Sequence, residues 1–527
     1  MTSGPADRGG LSEYAGTIPR LLAAAAARDP DGTWLRTDDT TLTFAAAAAR
    51  TARLAQTLRS SGVRRGDLVL VTARTTPPYL LCWLALASLG AVTVPVNPRS
   101  APAELAGLVR QVSPRALISD AGLGALIDAA QVADVPELGL LDVDDLLVLS
   151  APRPATAAGD AAALPDVVGP DDLAVLIPTS GTTGRSKLVM QTHRAYAMAG
   201  EGFPFWMELT AADRLMTSLP LFHINAPAYS VMGSLACGAG LILLPRFSAS
   251  GFLDAARRHG ASEFNAIGAM LEILMRQPQR PDDADTPLRL CYTGPAPERE
   301  RQREMERRFG LRIVVGYAMS ESPYGLIWAR GTRPYGTLGT VRQHPVLGTV
   351  NHARVVGPDG RVLGSGETGE MQLRNPVLTR GYWGMPEETS ALFDDGWLRT
   401  GDLVTVGADG TYTFVGRQKE VLRRRGENLS PLEVEEVLEA HPSVLEAAVV
   451  GVESELSDEE VKAFVVPADG AGISFEDLRA YTAERLAAFK VPRYWQEIAE
   501  LPRTPTSRVA KHRLPAGHQP GEYDAEA

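Results

Sequence analysis

Residues 176 to 187 read LIPTSGTTGRSK, a run of hydroxyl side chains and two glycines closed by one lysine. Such a loop suits the oxygens of a phosphate. Gly181 and Gly184 permit positive φ and let backbone N–H groups approach an anion, while Thr179, Ser180, Thr182 and Thr183 add hydroxyl donors. Lys187 supplies a fixed positive charge. The spacing differs from a Walker loop, because the glycines are three apart rather than five and no Ser or Thr follows the lysine. Upstream, Leu173, Val175 and Ile177 alternate as a strand does, so the loop is expected to leave a strand end.

Other short strings follow in order: PLFH at 220–223, YTGPAP at 292–297, GYAMSES at 316–322, LRTGDL at 398–403, GRQKEVLRRRGEN at 416–428 and PRTPTSRVAKHRL at 502–514. Taken singly, each has an ordinary reading. Gly294 with Pro295 predicts a turn, and Asp402 after a glycine fits a β-turn. A carboxylate such as Glu321 acquires chemistry only if a cation stands between it and phosphates. The run Arg423 to Arg425 fits a solvated charge cluster and a docking point for phosphates equally well.

These residues need a scaffold, and composition bounds it. With 527 residues the chain is too long for one core and is expected to divide into at least two domains. Apolar residues make up 45% and charged ones 22%, the balance of a globular protein. Net charge is −11, with 63 acidic against 52 basic residues, which argues against a nucleic-acid partner and requires any anionic substrate to be drawn by local charge. Cys82, Cys237 and Cys291 sit among apolar neighbours without metal-type spacing, and the chain start has no apolar signal region; a cytoplasmic location is expected. The apolar stretch 79–96, YLLCWLALASLGAVTVPV, is read as a buried helix turning at Gly90 into a buried strand, so no membrane span is expected.

Helical periodicity alternating with Val-rich runs such as 67–73 and 91–96 predicts parallel α/β structure. Residues 151–170 are Ala/Pro/Gly-rich and read as a surface linker. Between 337 and 415 glycines recur among short strands, which predicts a β-rich subdomain. A boundary is placed at Gly416, giving domains 1–415 and 416–527. The second carries a helix after Ser430 as N-cap, strands near AAVVGV and VKAFVVP, and a helix over FEDLRAYTAERLAAF.

With these strings in this order, nearly the whole chain resembles the adenylate-forming superfamily, and within it the ATP-dependent, AMP-forming acyl-CoA synthetases. The resemblance implies an α/β fold: a large N-terminal domain of parallel sheets with a β-rich subdomain, and a small mobile α+β C-terminal lid. It implies ATP and Mg²⁺, a small organic acid as substrate and CoA as acceptor. In that reading Thr179 to Gly184 and Lys187 hold the β and γ phosphates, and the backbone at Gly294 and Pro295 lines the adenine pocket. Tyr317 stacks on adenine, Ser320 touches the α-phosphate and Glu321 binds the metal. Asp402 accepts from the ribose hydroxyls, Arg417 is a second ribose or phosphate contact, Lys419 is the hinge, and Gly426 approaches the cleft. His223 gates the acyl pocket beside the reacting carboxylate. No aspartate follows Phe222, so capture of an amino acid's ammonium there is not expected.

The chain departs from the family pattern at Ser186 and Leu188, and above all at Ser507-Arg508, where a Gly-Lys pair is usual. A guanidinium keeps the charge but presents a planar fork in place of a compact point. Three readings stay open: Arg508 does the lysine's work, Lys511 reaches in, or the activated oxyanion is not a carboxylate. Acid–CoA ligation comes first, a nitrite-activating diazotase second, and a degenerate nucleotide sensor third.

Overall fold

The computed structural model describes residues 16–132, 135–140, 148–149, 168–179, 186–294, 296–418, 422–424, 427–453, 459–468, 472–486, 488–503 and 509–526. Packing groups the chain into two units, Met1–Ala353 with Leu373–Leu398, and Arg354–Gln372 with Arg399–Ala527. The linker expected over 151–170 lies outside the described residues up to 167.

The first unit holds two sheets. In one, Glu137–Leu140, Ala116–Asp120, Leu68–Thr72, Val92–Val96 and Leu173–Thr179 run parallel in that order, with Lys187–Thr192 antiparallel beside the last. In the other, Arg312–Met319, Leu290–Thr293, Glu263–Asn265, Arg214–Thr217, Gly240–Leu243 and Thr33–Arg36 are parallel. Ser322–Ile327 then turns back antiparallel on Arg312–Met319. Strands covered on both faces carry mostly apolar side chains, and Val92–Val96, apolar but for Thr93, is buried throughout. The stretch 79–96 forms the expected helix and strand. Pro77 opens the helix Pro77–Leu89, whose residues from Tyr79 to Ala87 are all buried, and Gly90 ends it at φ 69°. Among the described residues no helix is long and apolar enough to cross a membrane.

His193 begins the helix His193–Met207, which Thr192 caps by accepting from the Ala195 amide at 3.4 Å. Its ring is fully buried, and neither ring nitrogen has a hydrogen-bond partner. Burial pushes its pKa down to about 4, against the opposing pull of Asp172. Because the folded value lies below the unfolded one of about 6.5, the unfolded chain binds the extra proton. The stabilisation is therefore complete above pH 6.5 and is lost as pH falls towards 4, with a limit of about 3 kcal/mol. Urea unfolding of wild type and His193→Gln is expected to converge over that range as pH falls. Parallel curves would remove His193 as the cause.

Most of Thr368–Arg374 and of Trp397–Val406 belongs to the second unit, in a five-stranded sheet with Tyr412–Arg417 antiparallel to the latter, so the glycine-punctuated stretch is β-rich as expected. Beyond it a four-stranded sheet orders Val444–Glu453, Glu459–Pro467, Tyr494–Glu497 and Tyr523–Asp524, accompanied by helices Pro431–Glu439 and Phe475–Ala483. Ser430 stands at the N-cap position but makes no capping bond; its hydroxyl is buried without a partner, and Pro431 at the first helical position supplies the start. Arg424 is no solvated cation. Its guanidinium lies 2.6 Å from Glu460 with both side chains buried, and it donates to the Val491 carbonyl at 2.7 Å.

Candidate active site

The strands Leu173–Thr179 and Lys187–Thr192 pair antiparallel with Thr179 opposite Lys187, and the Thr179 hydroxyl donates to the Lys187 carbonyl at 3.2 Å. This pairing brings both ends of the predicted phosphate loop together. Ser180, Gly181, Thr182, Thr183 and Gly184 lie outside the described residues. Lys187 Nζ stands 4.6 Å above the ring of Tyr382, within cation–π range. The same tyrosine donates its hydroxyl to Glu321 Oε1 at 2.9 Å. Burial, and then the neighbouring Glu321 carboxylate, push the Tyr382 phenol well above its ordinary value, so it stays a protonated donor.

Glu321 occupies the turn between Arg312–Met319 and Ser322–Ile327, where it is buried. Backbone bonds fix that turn against its surroundings. The Thr379 amide donates to the Glu321 carbonyl at 2.8 Å, and Gln191 Nε2 donates to the Ser320 carbonyl at 2.6 Å. Arg380 and Met190 exchange bonds through Gly381, with Arg380 N to Met190 O and Met190 N to Gly381 O both at 3.0 Å. Residues 379–383 thus stitch the lysine strand to the glutamate turn. Tyr382, Thr379 and Gln191 escaped the sequence reading. The available signal was weak: an aromatic in RGYWG, between glycines that read as a turn.

Gly294 follows the strand Leu290–Thr293, and a Cβ there would stand 2.5 Å from the Gly316 carbonyl oxygen. Only glycine allows that approach, which carries the chain from one predicted motif against the next. Pro295 lies outside the described residues. Tyr317 is partly exposed near the end of its strand, with its hydroxyl 3.7 Å from Met319 Sδ. His223 sits in the turn after Arg214–Thr217, its amide bonded to the Pro220 carbonyl at 3.2 Å and its ring 4.6 Å from Phe222. His223, Gly294 and Tyr317 therefore gather towards the carboxyl ends of neighbouring parallel strands, the usual ligand side of such sheets.

In the second unit Asp402 and Arg417 face each other across paired strands, with Arg417 Nε 3.2 Å from Asp402 Oδ1. Asp402 is buried and Arg417 half-exposed. Lys511 Nζ is 2.7 Å from Glu435 Oε1, and the same oxygen accepts from the Val449 amide at 2.6 Å. This gives Lys511 a structural partner within its own unit. Lys419, Gly426, Ser507 and Arg508 lie outside the described residues.

Among the described residues no cluster of three or more His, Cys, Asp or Glu could hold a metal alone. A single buried carboxylate at Glu321 fits Mg²⁺ in another way, since that ion takes one or two carboxylates and fills its remaining positions with phosphate and water oxygens. A phenol donor on one oxygen fixes the carboxylate's orientation.

The family model described as AMP-binding enzyme matches residues 22–383, and that of the AMP-binding enzyme C-terminal domain matches 433–508. Sulfoacetate–CoA ligase of Cupriavidus necator is 33% identical over 506 residues, 94% of this chain and 97% of that protein. Crotonobetaine/carnitine–CoA ligase of Salmonella typhimurium is 31% identical over 481 residues, 88% of this chain and 90% of that protein. Among solved structures, ATP-bound MatB from Rhodopseudomonas palustris superposes with a TM-score of 0.82 at 28% identity, covering 94% of this chain and 98% of that one. The AMP complex of O-succinylbenzoate coenzyme A synthetase from Bacillus subtilis gives 0.82 at 26%, covering 95% and 99%.

Proposed function

Because this chain belongs to the AMP-binding enzyme family and is an AMP-forming acid–thiol ligase working with ATP, Mg²⁺ and CoA, we propose that it activates a small organic carboxylate and passes the acyl group to CoA. In the first half-reaction a carboxylate oxygen attacks the α-phosphorus and pyrophosphate leaves. In the second the CoA sulfur attacks the acyl carbon and AMP leaves.

The observation that carries this reading is the meeting of Lys187 and Glu321, far apart in sequence, on the two sides of Tyr382. Lys187 can offset polyphosphate charge directly, whereas Glu321 can do so only through the dication it would hold. Mg²⁺, when bound, supplies further neutralisation there. Lys187 with Thr179 and the loop residues Ser180 to Gly184 holds the leaving phosphates, and Glu321 holds the metal. Gly294, Pro295 and Tyr317 bind adenine, Ser320 the α-phosphate, and Asp402 with Arg417 the ribose. His223 orients the acid's carboxylate. Arg508 supplies charge at the attacking oxyanion, while Lys511 serves the lid's own packing through Glu435. Residues 416–527 act as the lid, pivoting at Lys419. The cytoplasm is the proposed setting, in keeping with three buried free thiols.

The diazotase alternative has no support among these relatives. Pyrophosphate release across a panel of short aliphatic and aryl acids, with and without CoA, and separately with nitrite plus an aminoaryl acid, tests the proposal. At least one acid is expected to drive release at ten times the acid-free rate or about that, with acyl-CoA formed when CoA is added and no response to nitrite. Release with nitrite and with none of the acids would overturn it.

A further inference from the structure

One charged group in the first unit is spent on nothing assigned so far. Arg342 is fully buried, and its contacts are neutral. Nε donates to the Leu326 carbonyl at 2.9 Å, Nη1 to the Pro323 carbonyl at 3.2 Å and to the Tyr229 hydroxyl at 2.9 Å, and Nη2 to the Tyr292 hydroxyl. The rings of Trp206, Tyr229 and Tyr292 surround it with centroids at 4.9, 5.0 and 5.5 Å. Removing a cation from water is costly, and apolar replacements at buried ion sites often match or improve stability. Stability alone is a weak reason for an arginine here.

Its partners supply a better one. Tyr229 lies in the π-helical turn Ala226–Val231 just past His223, and it also donates to the Pro323 carbonyl at 2.6 Å. Tyr292 precedes Gly294 by two residues, and Pro323 follows Glu321 by two. On the remaining side, a Cβ on Gly316, the residue before Tyr317, would stand 2.8 Å from Nη2. One planar guanidinium therefore touches the segments that carry His223, Gly294, Tyr317 and Glu321. Such π-helical turns recur at functional sites. We propose that Arg342 is a positioning residue that holds the acid-binding turn after His223 against the strand pair bearing Tyr317 and Glu321. It touches no substrate and acts through Tyr229 and Tyr292.

The inference rests on the acid-activating function proposed above and makes a lopsided kinetic claim. The strand pair keeps its own ladder, Gly316 opposite Ile327 and Tyr317 opposite Leu326, whereas the Tyr229 turn meets that pair through one hydroxyl, which donates to the Pro323 carbonyl and accepts from the guanidinium. Arg342→Met is thus expected to raise the KM for the acid about tenfold and the KM for ATP no more than about twofold, with Arg342→Lys in between because it keeps the charge without the fork. A purely structural role would lower the folded fraction and leave both KM values alone. If Arg342→Met does not fold, Tyr229→Phe is read instead, since it keeps the ring and removes the hydroxyl; about a threefold rise in acid KM is expected. Folded Arg342→Met with both KM values unchanged, or, where that variant does not fold, Tyr229→Phe with an unchanged acid KM, overturns the positioning role. Wild type without acid-dependent pyrophosphate release would instead defeat the functional reading itself.

Discussion

Replacing Glu321 by glutamine is expected to lower acid-dependent pyrophosphate release by about 100- to 1000-fold at moderate Mg²⁺, the scale of losing one aimed electrostatic group in a desolvated site. The fold should hardly notice. Glutamine keeps an oxygen that can accept from Tyr382, the partner at 2.9 Å, and the turn's own carbonyls are tied to the Thr379 amide and the Gln191 side chain. What disappears is the negative charge that suits a hard dication. The thermal transition is therefore expected to stay within about 2 °C, below the shift that 1 kcal/mol produces in a small domain. Titrating Mg²⁺ separates the effects, because weakened metal binding moves the half-saturating concentration upward. Unchanged turnover at every Mg²⁺ concentration would refute the role.

The second large effect concerns the departure in the C-terminal loop. Arg508→Ala is expected to slow adenylate formation by about 100- to 1000-fold, because it deletes the charge proposed to act between two like-charged reactants. Arg508→Lys should retain activity to within about tenfold, since charge matters more at that point than the guanidinium fork. Lys511→Met should leave the adenylation rate close to wild type. Its ammonium is engaged 2.7 Å from Glu435, so its loss is felt as reduced stability of the second unit. Single-turnover measurement of pyrophosphate, with the CoA step excluded, reads these three variants directly. A severe rate loss in Lys511→Met with Arg508→Ala unaffected would exchange their assignments.

Some parts of this site were legible from the chain and others were hidden for definite reasons. Asp402 and Arg417 could be named only through the family resemblance of their strings, and strand pairing sets them opposite one another. Tyr382 could not. Its sequence context is a turn between glycines, and its value lies in partners that reach it from two other segments. Arg424 fits neither reading of its basic run, a solvated cluster or a docking point for phosphates, since strand alternation turns it inward onto Glu460. The place of Ser430 before a helix predicts a cap, yet its hydroxyl is buried without a partner, and the helix opens on Pro431, whose fixed φ suits the first helical position.

By itself the sequence determined the parallel α/β architecture, the buried helix and strand of residues 79–96, and the classes of residue available for phosphate, metal and acid. Those properties follow from short-range causes: side-chain period, glycine's backbone freedom and the charge of single groups. Only the tertiary structure decided that Lys187 and Glu321 share Tyr382, that Gly294 must lack a side chain because the Gly316 carbonyl occupies its space, and that Arg342 gathers four segments around one guanidinium. Each of these depends on contacts between residues distant along the chain, whose distances are fixed by packing and leave no periodic trace in the amino-acid order.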